Sequence, residues 1–387
     1  MFISIIVYLL MVFLIFWVYS GYVIMLYILI ITGKRYEHKE EIEDYPYVSI
    51  LVPCFNESSL AEEKVKNLLG LDYPKDKLEI IFLDGNSNDG TLELLQRNTA
   101  NIKYIKIVQT GCQGKINQIN YILPEIKSEI IVNTDMDTML SKNILKELVN
   151  VFKTDKDISV VGANVIPESR LSFEREYWFL QNRIRFLESR AHSSSIVAAP
   201  CYAFRKGLIK TFPADCIADD IYISFYANTK GKKTKYVEKA IAYETRCPDR
   251  TMTLLQHKFR KGNAYIIELL RFVYLLAYMQ PRWKFIFLTK FLQVVVIPWI
   301  IPFFIIGSIS MILAGKALTS LVIFSFIFLF ISSLIVHFIL KRGRKESIGK
   351  VSHFPFSVFI ITNAILLLDG LSFPFYRQTS SYDKVRS

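Results

Sequence analysis

At 387 residues the chain has room for one large soluble domain and several membrane spans. Apolar residues make up 52%, which excludes an ordinary cytosolic enzyme, whereas 21% charged residues exclude a bundle lying wholly in lipid. The balance of 47 Lys and Arg against 35 Asp and Glu is basic; beside membrane spans it marks juxtamembrane cations on the cytoplasmic side, and no nucleic-acid partner is expected.

Residues 2–32 carry no charge and run into Gly33-Lys34-Arg35. The stretch is longer than a signal-peptide core and lacks a basic leading region, so residues 1–35 are expected to be a retained transmembrane anchor. Lys34, Arg35 and Lys39 then put the following domain in the cytoplasm. Residues 36–46 form a polar linker. After it, strand-like runs at 48–53, 78–83, 104–108 and 130–132 alternate with helical spacing at 60–71, 91–97, 115–126 and 143–152. Such repetition implies an α/β domain with a mostly parallel, helix-covered sheet over 36–250. Its second half is less regular: strand-like at 158–165, 197–205 and 236–243, with a long helix at 173–191. Five cysteines (54, 112, 201, 216, 247) at no zinc-like spacing read as reduced thiols in the cytosol.

Residues 251–286 mix Lys258, Arg260, Lys261 and Arg271 with Leu, Ile, Tyr and Phe, the pattern of a basic helix lying in the membrane interface. Residues 287–387 then hold two to three spans, at about 291–314 and 318–340 and, more weakly because of Asp369, 354–375. Lys341-Arg-Gly-Arg-Lys345 marks a cytoplasmic turn. The expectation is a multi-pass plasma (inner) membrane protein with four spans and both termini outside.

The candidate chemistry sits where strands end. An apolar run from Ile130 leads into Asp135-Met136-Asp137, and two hard oxygen donors at the carboxyl end of a buried strand suit Mg²⁺ or Mn²⁺ carrying a diphosphate. Strand alternation would point both side chains the same way. Val52-Pro53-Cys54-Phe55-Asn56-Glu57 leaves the first strand and offers an amide and a carboxylate, with helix capping as the alternative for Asn56. Asp84-Gly-Asn-Ser-Asn-Asp-Gly90 forms a tight loop in which Asp84 can accept hydrogen bonds from a base or ribose, or serve an ordinary turn. Gly111-Cys-Gln-Gly114-Lys115 opens a helix whose start can hold phosphate. Far along the chain, Asp219-Asp220 offers a general base or caps a helix.

Together these motifs resemble the family 2, GT-A-fold glycosyltransferases with membrane spans, the group containing hyaluronan, chitin, cellulose and poly-N-acetylglucosamine synthases. The resemblance covers about residues 47–263. It implies a Rossmann-like GT-A domain, a nucleotide-sugar donor (a UDP-sugar) and a glycan or lipid-linked acceptor at the bilayer, with an oligomer or accessory subunit as a further partner. Pro53, Asn56, Glu57, Asp84, Lys115 and Asp135 are implied to hold the donor, Asp84 at the uracil and Lys115 at the diphosphate. Asp137, with Asp135, is implied to hold the metal, and Asp220 to be the catalytic base. Processive members carry Gln/Arg-x-x-Arg-Trp on the interfacial helix. Here Leu255-Gln256-His-Lys258-Phe259-Arg260 lacks the indole, leaving Gln256, Phe259, Arg260 and Asp219 as candidate acceptor or diphosphate contacts. A single transfer to a lipid or lipid-linked acceptor is the alternative to polymer synthesis.

Overall fold

The computed structural model describes residues 2–32, 44–341 and 356–376. The cationic segments used above to assign sidedness, 33–35, 39 and 342–345, lie outside the described residues, as does most of the 36–46 linker.

Eight strands form one sheet: β1 (Val48–Cys54), β2 (Leu78–Asp84), β3 (Ile105–Gln109), β4 (Ile130–Thr134), β5 (Thr138–Leu140), β6 (Ile158–Pro167), β7 (Cys201–Arg205) and β8 (Lys233–Glu244). Their order is β3-β2-β1-β4-β7-β6-β8-β5. The first four are parallel, the half-Rossmann arrangement. β7 runs antiparallel to both β4 and β6, β6 is parallel to β8, and β5 is antiparallel to β8. The sheet is mixed but mostly parallel, as expected, and its antiparallel pairs fall in the half where the sequence pattern is irregular.

β1 sits at the centre, and Val48, Ile50, Leu51 and Val52 are all fully buried. That explains its unbroken apolar run, since a strand covered on both faces has no solvent side to mark with polar residues. Pro53 donates no ladder bond, and it falls beyond Leu51↔Asn133, the last rung with β4. One face packs against helices Ser58–Leu69 and Ile144–Thr154 through Val65, Leu68 and Leu148. The other face packs Leu51, Ile81 and Phe204 against helices Lys115–Ile122 and Asp219–Thr229, and then against Thr251–Val273. This second core continues through Leu269 and Phe272 to Trp283 and Phe287, at the start of the next apolar helix.

Among the described residues, three helical stretches are long and apolar enough to cross a membrane: Phe2–Thr32, Pro281–Ala314 and Lys316–Lys341. A shorter one, Phe356–Ser372, packs beside Thr251–Val273. Their outward side chains, Ile306, Phe324 and Phe338 among them, are exposed, as expected of surfaces that face acyl chains. Glu188, from helix Ser172–Ala191 and fully buried, ties the sheet domain to this bundle. It accepts hydrogen bonds from Tyr22 OH (2.7 Å) and Ser195 N (2.7 Å), and Lys290 Nζ lies 3.0 Å from it.

Candidate active site

Because β1, β2, β3 and β4 are parallel, their carboxyl ends share one edge, and the loops carrying Glu57, Asp84, Lys115 and Asp135 leave from it. β4 stops at Thr134. Asp135 N then donates to Pro200 O (3.1 Å) and Thr138 N to Asp135 O (3.3 Å), closing a turn. The turn, not strand alternation, brings Asp135 and Asp137 to the same cavity. Beneath it lies Lys64, fully buried, its ammonium donating to Thr134 Oγ1 at 3.1 Å and to Thr138 O.

Lys115 follows Gly114, whose φ of +92° favours glycine. Its Nζ reaches Asp135 Oδ1 at 2.8 Å, Asp219 Oδ2 at 3.1 Å and Ala199 O at 3.1 Å. Asp219 also accepts from Tyr202 OH at 2.6 Å, so its carboxylate is committed. Asp220 accepts backbone bonds, from Ala199 N at 3.1 Å and from the amide of Ile221, and keeps an open face on the cavity. Of the pair, Asp220 has the less engaged carboxylate.

Electrostatics separate the acids further. Burial, helped by the charge of Asp135, pushes Asp137 up to about 6, against the opposing pull of Arg246. Burial and then Asp219 raise Asp220 to about 6, opposed by Lys115 and Arg185. Burial likewise lifts Glu244 to about 7. Arg246 grips Glu57 through both terminal nitrogens, while its Nε stays 4.0 Å from Asp137. Asp137 is thus a half-buried carboxylate short of positive charge, the condition a divalent cation relieves. Among the described residues no group of three or more His, Cys, Asp or Glu could hold a metal. Asp135 and Asp137 fit an ion that completes its shell with phosphate oxygens and water, the usual arrangement for Mg²⁺.

Not every expected residue reaches the cavity. Asp84 stands behind its wall. One oxygen accepts from the amides of Asn86 and Ser87, both at 3.1 Å, and the other is buried without a hydrogen-bond partner. The loop closes so tightly that a Cβ at Gly85 would lie 2.1 Å from Gln118 Nε2. Asn56, at φ +53°, accepts from Asn88 N at 2.9 Å and braces the same loop instead of facing a ligand. Asp89 accepts from Ser58 N (3.0 Å), a bond that holds the start of the first sheet helix. Gln256 is exposed and off the cavity, because the helical turn points it away; Phe259 leaves it too, its ring 6.2 Å from that of Tyr376. Pro53, Glu57, Asp219 and Arg260 do line it. Sequence reasoning missed Arg246, Glu244 and Lys64. None carries a motif, and only the pairing of β8 with β5 and β6 brings the first two to Asp137.

The cavity is about 1190 Å³ and does not end at the acids. It runs past Arg185 and Lys258 to Tyr19, Pro298 and Phe330 on the apolar helices.

Residues 46–264 match the model of the glycosyltransferase-like family 2, so the chain belongs to that family of enzymes. It is similar to the β-monoglucosyldiacylglycerol synthase of Nostoc sp., 30% identical over 147 residues covering 37% of this chain and 31% of that protein. The poly-β-1,6-N-acetyl-D-glucosamine synthase of Staphylococcus aureus is 23% identical over 267 residues, 67% of this chain and 64% of the synthase. The matches span less than two thirds of either relative. The fold is that of the mannosyltransferase PcManGT from Pyrobaculum calidifontis, solved with GDP-Man and Mn²⁺. The TM-score is 0.69 at 20% identity, covering 94% of this chain and 98% of that one.

Proposed function

We propose that the protein is a multi-pass enzyme of the plasma membrane, its sheet domain in the cytoplasm. It moves a sugar from a nucleotide sugar, a UDP-sugar by the family resemblance, to the hydroxyl of a lipid-linked acceptor. The single observation that carries this reading is the continuity of the cavity from Asp137 and Asp220 to apolar walls on the long helices. Tyr19, Pro298, Ile301 and Phe330 suit an acyl or prenyl chain, whereas a sugar polymer needs partners for its hydroxyls. A growing glycan, as made by the staphylococcal relative, is the second reading. The missing Trp beside Phe259 speaks against it.

Lys115 is within reach of a diphosphate that displaces its present carboxylates. Asp135 and Asp137 would hold Mg²⁺ or Mn²⁺, the latter present with the nucleotide sugar in the archaeal neighbour. When bound, such an ion supplies Lewis-acid neutralisation of the departing diphosphate. Asp220 takes the proton as the acceptor oxygen attacks the anomeric carbon from the face opposite the leaving group. The new glycosidic C–O bond forms, the bond to phosphate breaks, and the configuration inverts. Tyr202 holds Asp219 away from the acceptor, and Asp220 keeps its open face.

The test is purified protein with Mn²⁺ and a panel of labelled nucleotide sugars in native lipid extract. Label that partitions into organic solvent supports a lipid-linked product. A long water-soluble polymer would favour the second reading.

A further inference from the structure

Between Asp220 and the apolar end, the cavity wall carries cations that the transfer chemistry leaves unused. Arg185, from helix Ser172–Ala191, is 7% exposed. Its Nη1 donates to Asn182 Oδ1 at 3.2 Å, and its guanidinium carbon lies 5.4 Å from the centre of the Trp178 ring. Its Nε is buried with no hydrogen-bond partner. Lys261, on the facing helix Thr251–Val273, brings its ammonium within 5.3 Å of the same ring. Among the described residues neither cation has a carboxylate within 4 Å, because the neighbouring acids are committed elsewhere. Glu174 binds Lys258 at 2.6 Å and accepts from the Trp178 indole at 2.9 Å. Glu188 binds Lys290. Glu244 faces Lys261 and Asp220 faces Arg185, but neither acid is in contact with its cation.

A buried guanidinium with no carboxylate in contact is costly, Asp220 being its nearest acid by charge, and a planar fork of donors suits phosphate oxygens taken two at a time. Asp220 lies on one side of this pair and the hydrocarbon-lined end on the other. We infer that Arg185, assisted by Lys261, binds the phosphate of an amphiphilic acceptor, the group that joins its lipid to its sugar. The inference rests on the lipid-acceptor reading and narrows it: the acceptor is a lipid phosphate or diphosphate glycoside, not an uncharged glycolipid. The anchored phosphate would set how far the acceptor sugar projects toward Asp220.

The experiment uses the full-length protein in uncharged detergent micelles and measures binding of dodecyl phosphate, dodecyl glucoside and, with Mn²⁺, UDP. The wild type should prefer the phosphate amphiphile by about tenfold or more, a difference the loss of one charged contact can erase. Arg185→Gln should remove that preference and Arg185→Lys restore part of it. Lys261→Gln should reduce it by about threefold and serves where Arg185→Gln fails to fold. Equal affinity of the wild type for the two amphiphiles overturns the inference, as does an undiminished preference in the Gln variants. UDP reports separately: if it binds while the preference is absent, only the phosphate subsite falls, and if it does not bind, the transferase reading falls with it.

Discussion

Lys115 Nζ stands 3.1 Å from the carboxylate of Asp219, joining the first half of the sheet domain to the second across the mouth of the cavity. That contact distinguishes two adjacent acids. Asp219 is held by Lys115 and Tyr202, and Asp220 is left to face the cavity. Asp220→Asn should therefore lower turnover by about 10²–10⁴-fold, the usual contribution of a positioned base, with little change in donor affinity. Asp219→Asn should instead leave turnover nearly unchanged and tighten donor binding, because it removes one of the carboxylates that a diphosphate must displace from Lys115. Initial rates over a donor titration separate the two; a larger kcat loss for Asp219→Asn would reverse the assignment.

Asp137→Ala should cost about 10²–10³-fold in transfer and abolish the Mn²⁺ dependence, if the residue carries the ion that offsets diphosphate charge. Circular dichroism and elution volume should stay those of the wild type. Near-normal turnover in Asp137→Ala would remove this carboxylate from the metal site.

The pH dependence follows from burial. Asp220 must be ionised to accept a proton, so the rate should climb as pH rises through about 6. Stability of the metal-free protein should move the opposite way. Asp137 and Asp220 hold their protons to about 6 when folded and release them near 3.8 when unfolded. Their contribution is fully present below about 3.8 and is lost as pH rises through 6, because the folded state binds more protons in that window. Mn²⁺ should restore stability at pH 7.5 and have little effect at pH 4.5. Thermal melts at the two pH values with and without Mn²⁺ check this; a metal-free melting point that rises from pH 4.5 to 7.5 would contradict it.

Much of this site could be read from the chain before any coordinates. β1, β2 and β4 are continuous apolar runs ending in Asn56-Glu57, Asp84 and Asp135, and their parallel pairing is what puts those endings together. The second half was less legible. β7 inserts antiparallel between β4 and β6, and β5 is three residues long, too short for any period to register. Lys64 lies on the buried face of a helix where spacing predicts an apolar residue, and only the carbonyl of Thr138 and the Thr134 hydroxyl explain it. Arg246 belongs to the site through Glu57, far away in sequence, and such pairing leaves no local pattern.

Glu188 and Lys290 couple the sheet domain to the apolar bundle, and neither is more than 6% exposed. Lys290→Met should destabilise the protein by about 3–5 kcal/mol, since it strands a buried carboxylate. Adding Glu188→Gln should recover part of that loss. Denaturation in mild detergent measures both; additive losses in the double variant would show the pair is not coupled.

Gly262 faces helix Phe356–Ser372 with no room for a side chain. A Cβ there would meet Asp369 Oδ2 at 2.2 Å and Leu366 Cδ2 at 3.3 Å. Gly262→Ala should cost about 1–3 kcal/mol by overpacking, and Asp369→Ala in the same chain should relieve most of it. Melting of the single and double variants decides; no relief in the double variant would mean that the contact with Asp369 is not what excludes a side chain at Gly262.

The most direct test of the whole account is release of nucleoside diphosphate from labelled nucleotide sugars by the purified full-length protein, with Mn²⁺ and native lipid extract present. The account predicts release of UDP matched by transfer of the sugar into the lipid fraction, both lost on chelation and in Asp220→Asn. Lipid-independent silence across UDP- and GDP-sugars, or transfer undiminished by both chelation and Asp220→Asn, would contradict it.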